Sequence, residues 1–99
     1  MTLELNDGLV APADTAGAWE QAAWRLGVEV AGPVADDVDR KARFPQESSD
    51  ALKAGGFFSA LLSKDVGGGG ASLVELVGAV RALAAHCASS ALVLAMHSI

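Results

Sequence analysis

The feature that most constrains this chain is the run from Leu73 to Cys87, where Leu73, Leu76, Val77, Val80, Leu83, Ala84 and Cys87 recur at spacings of three and four. Such spacing gathers apolar side chains onto one stripe of a helix, and the run predicts a helix that buries that stripe. Directly ahead stands Ser72-Leu73-Val74-Glu75, a capping box in which the serine hydroxyl accepts from the third amide and the glutamate answers back. Ahead of that, KDVGGGG brings four consecutive glycines, Gly67 to Gly70. A dinucleotide fingerprint would need its third glycine where Ser72 or Leu73 stands, and a P-loop would need Gly-Lys-Ser/Thr at its end. Neither pattern is met. The capping box also occupies the helix end and sets a carboxylate where an anion would approach, so the glycines read as a hinge between helices.

The remaining punctuation is helical throughout. After a loose leader over residues 1–13, Asp14-Thr15 supplies an N-cap, and Trp19, Ala22, Ala23, Leu26 and Val30 keep helical spacing. Gly32-Pro33 is expected to kink or break that helix, because proline has no amide hydrogen and clashes with the preceding turn. The piece beyond carries Asp36 with Arg40, Asp37 with Lys41 and Asp39 with Arg43, pairs four apart that mark a solvated face. Phe44-Pro45 closes it and opens a short helix over 46–54, with proline suited to a first turn. Gly55-Gly56 ends that helix, and Phe57, Phe58, Leu61 and Leu62 are core candidates. Ser89-Ser90 either cap a last helix over 91–99 or lie inside a continuous one. No period-two run of β-branched residues occurs, which predicts an all-α domain, a small bundle of four to five helices.

Composition removes several functional classes. The chain has 99 residues, 52% hydrophobic and 19% charged, enough apolar material for one modest core. Its formal charge of -5 leaves no basic stripe to displace counterions from phosphates, which excludes a nucleic-acid binder. One cysteine, Cys87, precludes an internal disulfide and fits a reducing, cytoplasmic setting. The first residues carry Glu4 and Asp7 and lack the positive region of a secretory signal. The most apolar segment, residues 82–99, is interrupted by His86, Ser89, Ser90 and His97 and falls short of the roughly 20 apolar residues of a membrane span.

Chemistry-bearing residues are few. His86 and His97 stand eleven apart, roughly 16 Å along a straight helix, too far to share one metal. Each is expected to be structural or superficial, and Cys87 lies on the apolar stripe as a packing residue. No Ser/His/Asp constellation assembles, so no catalytic, metal-binding or cofactor-binding residue is assigned.

Val38-Asp39-Arg40 with Arg43-Phe44-Pro45, Leu52-Lys53-Ala54-Gly55-Gly56-Phe57-Phe58, the Gly67–Ser72 loop and Ser89-Ser90-Ala91-Leu92-Val93-Leu94-Ala95-Met96-His97 appear in an informative order. Together they resemble the N-terminal helical domain of the acyl-CoA dehydrogenase family, over residues 14–99. The resemblance implies a flavoprotein oxidoreductase of fatty-acid metabolism in three parts, with FAD held mainly by a middle β-domain and a C-terminal helical domain. It implies a glutamate in the C-terminal part that removes the α-proton of an acyl-CoA while hydride leaves the β-carbon for the flavin. By position it assigns Val93, Met96 and His97 to one wall of the acyl pocket. Ser63 departs from the pattern, standing where relatives commonly have proline.

By the same resemblance the chain alone lacks both flavin-binding parts. It is expected to be inactive in isolation, to expose an apolar patch and to self-associate, with homo-oligomers forming in the complete enzyme. The competing expectations are a stand-alone helical interaction module and a piece of a flavin monooxygenase of the same fold.

Overall fold

The computed structural model describes residues 17–98. The leader over residues 1–13 and the Asp14-Thr15 cap therefore lie outside the described residues, as does Ile99. Within them the chain is all-α, with no strand: α1 (Ala18–Leu26), a π-helical turn (Gly27–Ala31), α2 (Gly32–Lys41), α3 (Gln46–Ala54), α4 (Leu73–Ala84) and α5 (Ala88–Ser98). Two short 3-10 turns, Phe57–Ser59 and Lys64–Val66, lie between α3 and α4.

Pro33 does not break the first helix. The chain runs helically from Ala18 to Lys41 because the turn before the proline widens, the Gly32 amide donating to the Gly27 carbonyl five residues back. A π-turn of this kind accommodates a lost hydrogen bond by changing the winding instead of ending the helix. The helix stops at Ala42, which takes the left-handed conformation (φ 50°, ψ 43°) while its amide donates to the Asp39 carbonyl.

That reversal redirects Arg43. The first two acid–base pairs form as their spacing demands, Asp36–Arg40 at 3.1 Å and Asp37–Lys41 at 3.1 Å. The third does not, since Arg43 has left the helix. Its guanidinium instead bridges Asp37 at 2.8 Å and Glu47 at 2.9 Å, tying the end of α2 to the start of α3. Pro45 sits at the N-cap of α3, one residue ahead of the helix.

Leu52, Leu83 and Leu94, from α3, α4 and α5, are fully buried at the centre. Burying each stabilises the fold by about 1.5–3 kcal/mol. Trp19 meets Phe57 edge-on with ring centroids 5.2 Å apart, pinning α1 to the first 3-10 turn. Between α1 and α4 the chain relies on small residues: Ala23, Gly78, Ala79 and Ala82 are buried there, and a Cβ at Gly78 would come within 2.9 Å of Glu20 Oε1.

The helix over Leu73–Ala84 forms as expected, but its buried face is rotated from the expected stripe. Leu76, Leu83 and Cys87 are buried; Leu73 and Val77 are 68% and 55% exposed, and Ala84 is exposed. Close approach of α1 selects the Gly78/Ala79/Ala82 side, because only small side chains allow the two backbones so near. The bulkier Leu73/Val77 side is left without a helix against it.

The glycine run is not a hinge. The amides of Gly68, Gly69, Gly70 and Ala71 donate to the carbonyls of Ser63, Ser59, Leu62 and Ala60 at 2.7–3.1 Å, which straps the segment onto the preceding turns. Glycine is required for two reasons: Gly67 and Gly70 have φ of 84° and 69°, and a Cβ at Gly68 or Gly69 would strike the Leu62 backbone or the Trp19 ring. Downstream, both halves of the capping box are present, Glu75 N to Ser72 Oγ at 3.1 Å and Ser72 N to Glu75 Oε1 at 2.8 Å. The break between α4 and α5 falls at residues 85–87, which places Ser89 and Ser90 inside the first turn of α5.

Candidate functional site

The apolar side of α4 that α1 leaves uncovered and one flank of α5 enclose a groove of about 300 Å³. Leu73, Leu76, Val77 and Val80 supply one wall, Ala95 and Ser98 the other, and Leu61 from the strapped loop closes an end. At Leu61 and Ser98 the groove meets a second recess of about 210 Å³, formed by Phe58, Ser59, Leu62 and His97. The helical repeat explains the arrangement: Leu73, Leu76, Val77 and Val80 occur at spacings of three and four, so they share one face.

The three residues singled out on α5 differ in exposure and surroundings. His97 borders the second recess, its ring 4.2 Å from that of Phe58 and tilted by 38°. Val93, one turn earlier on the same side, is half-buried. Met96 is 64% exposed and, with exposed Leu92, forms an outward apolar edge on α5. Sequence reasoning missed the groove walls Leu61, Leu73 and Val77 as surface features. The available signal was the width of the apolar arc on α4, which exceeds what a single partner helix covers.

Electrostatic perturbation lies elsewhere. The Arg43 guanidinium, hydrogen-bonded to both carboxylates, holds Asp37 and Glu47 below the usual carboxylate range, with Lys41 adding to the effect at Asp37. Burial pushes His86 below the ordinary histidine value, and its Nε2 is the buried side-chain nitrogen or oxygen without a hydrogen-bond partner among the described residues. Cys87 is buried and free. Among the described residues no three His, Cys, Asp or Glu side chains gather as metal ligands, and no helix is long and apolar enough to cross a membrane. The groove, lined by apolar side chains and Ser98, can receive apolar groups, and the adjoining recess adds Ser59 and His97.

Residues 14–99 match the family described as acyl-CoA dehydrogenase, N-terminal domain. No curated protein and no solved structure matches the chain.

Proposed function

The chain belongs to the acyl-CoA dehydrogenase family, matching its N-terminal domain, and we propose that it serves as the N-terminal part of a flavoprotein oxidoreductase. The proposed reaction is α,β-dehydrogenation of an acyl-CoA thioester, with α5 contributing one wall of the acyl pocket through Val93, Met96 and His97. The observation that carries this reading is the outward apolar edge of α5, where Leu92 and Met96 are exposed on a helix whose other side is packed in the core. An apolar edge of that kind is suited to contact an alkyl chain or the domain that holds one.

Family membership implies FAD in the complete enzyme. The two segments with a phosphate-site character, the glycine run and the start of α4, do not fit its pyrophosphate. The amides of Gly68–Ala71 are committed to chain carbonyls, and Ser72 and Glu75 occupy the α4 N-terminus, so neither offers a phosphate cradle. The flavin is accordingly assigned to the family's middle and C-terminal domains, which are the proposed partners of this one, with homo-oligomerisation of the whole. Alone, residues 1–99 are expected to be colourless and inactive, and a buried, free Cys87 accords with a cytoplasmic setting.

The test is made on the polypeptide carrying all three domains. It should bind FAD and oxidise acyl-CoA substrates, and Val93→Trp should shift kcat/KM toward shorter acyl chains by lining the pocket with a larger group. An unchanged chain-length profile would remove α5 from the pocket. Stoichiometric flavin bound by residues 1–99 alone would overturn the division of labour between domains.

A further inference from the structure

His86 stands in the three-residue break between α4 and α5, at the one place where those helices can change their mutual angle without breaking either. Its amide, like that of Cys87, donates to the Leu83 carbonyl at 3.0 Å. Its imidazole is seated on bare backbone of the first helix. A Cβ at Gly27 would strike the imidazole ring, and one at Gly32 would lie 3.8 Å from His86 Cβ and Nδ1. Trp24 closes the seat from the side, ring centroids 4.4 Å apart and nearly perpendicular. Gly27 opens the π-helical turn and Gly32 directly follows it, so the widened turn and the imidazole fit one another.

The seat suits only a neutral ring. Nε2 is buried and unpartnered among the described residues. Protonation gives both ring nitrogens hydrogens to donate, and the one on buried Nε2 meets no acceptor. The charged side chains closest along the chain to the seat are Arg25 and Glu29 on the first helix and Arg81 on α4. All three are exposed. Asp36, one turn beyond Gly32, is paired with Arg40 at 3.1 Å. From α5 the sole other titratable group is His97, which stacks on Phe58.

We propose that His86 is a pH-operated wedge at the α4–α5 joint: neutral, its imidazole locks the joint onto the π-helical turn; protonated, it leaves the seat and releases α5. The device needs no particular role for α5 and goes beyond the pocket reading above. Its consequence is that the order of α5 depends on pH through a residue on neither helix.

The test is amide hydrogen exchange over residues 88–98 of this chain, corrected for intrinsic rates, at about pH 7.5 and about pH 5, on either side of the histidine range. The wild-type protein should lose about tenfold in protection at the lower pH, because the unpartnered imidazole must leave its seat to be solvated once it is protonated. His97→Gln should lose it equally, and His86→Phe, which fills the seat with a ring that does not titrate, should lose none. Equal loss in His86→Phe, or abolition by His97→Gln, would overturn the proposal. Should His86→Phe fail to fold, the imidazole titration followed by NMR in the wild-type chain decides: α5 amide shifts must follow the His86 curve, and α5 shifts that ignore it refute the wedge.

Discussion

Ser90 on α5 donates a 2.6 Å hydrogen bond to Ser48 on α3, and both residues are completely buried. In an otherwise apolar interior this pair fixes the register of the two helices, because sliding either one would leave a hydroxyl unsatisfied. Ser48→Ala or Ser90→Ala orphans the partner and should cost about 1–3 kcal/mol in urea denaturation. The double substitution should cost clearly less than the sum of the two. Strict additivity would show that the hydroxyls do not depend on each other.

The capping box gives a more local expectation. Ser72→Ala removes the acceptor for the Glu75 amide and should destabilise the fold by about 1 kcal/mol, whereas Ser72→Asp should retain most of it. Loss of α4 helicity by circular dichroism before the global transition would identify the cap as the failing element.

Two glycines separate a steric need from mere composition. Gly27→Ala drives a methyl into His86, and Gly69→Ala drives one into Trp19, so each should lower stability by about 1–3 kcal/mol. Gly17→Ala is the control: its nearest neighbour would be 3.9 Å away, and its effect should be small. Nucleotide addition should rescue none of them, since the glycine strap binds chain carbonyls; a stabilising shift with nucleotide would restore the phosphate-cradle reading.

The acid limb of stability should depend on Arg43. Hydrogen bonds from Arg43 are the chief cause holding the Asp37 and Glu47 carboxyls below their ordinary values of 3.8 and 4.5. A lowered carboxyl contributes stability that is present above those values and lost as pH falls through the folded ones. In Arg43→Ala the drop in Tm below about pH 4.5 should be shallower than in the wild type, with a modest amplitude because the groups are solvent-accessible. His86 acts at higher pH: its folded value lies below 6.5, so its contribution is complete above 6.5 and declines as pH falls beneath it.

The uncovered side of α4 should govern association. Leu73→Lys with Val77→Lys places charge on residues already exposed, so it should leave stability within about 0.5 kcal/mol while reducing dye binding and self-association in light scattering. Unchanged association would move the responsible surface to the Leu92/Met96 edge of α5.

What could be read directly was whatever depends on near neighbours. The spacing along Leu73–Ala84, the Ser72/Glu75 box, the stop at Gly55-Gly56 and the pairs Asp36–Arg40 and Asp37–Lys41 each rest on residues within a turn or so of one another, and all four occur. The pairing of Asp39 with Arg43 failed for a reason just as local, the left-handed Ala42, yet no residue type there announces it.

The sequence by itself determined that the chain is helical, where its helices lie to within a few residues and, through the order of its motifs, which family it belongs to. Only the tertiary structure decided which face of α4 is buried, that the helix passes Pro33 through a π-turn, and that Gly67–Gly70 form a strap instead of a hinge. It also set the groove beside α5 and the seat of His86. The physical reason is the same throughout: a helix stripe or a glycine run states what a segment can do, but the choice depends on whichever distant backbone comes close enough. Here α1 approaches the small side of α4, and the carbonyls of residues 59–63 reach the glycine amides first.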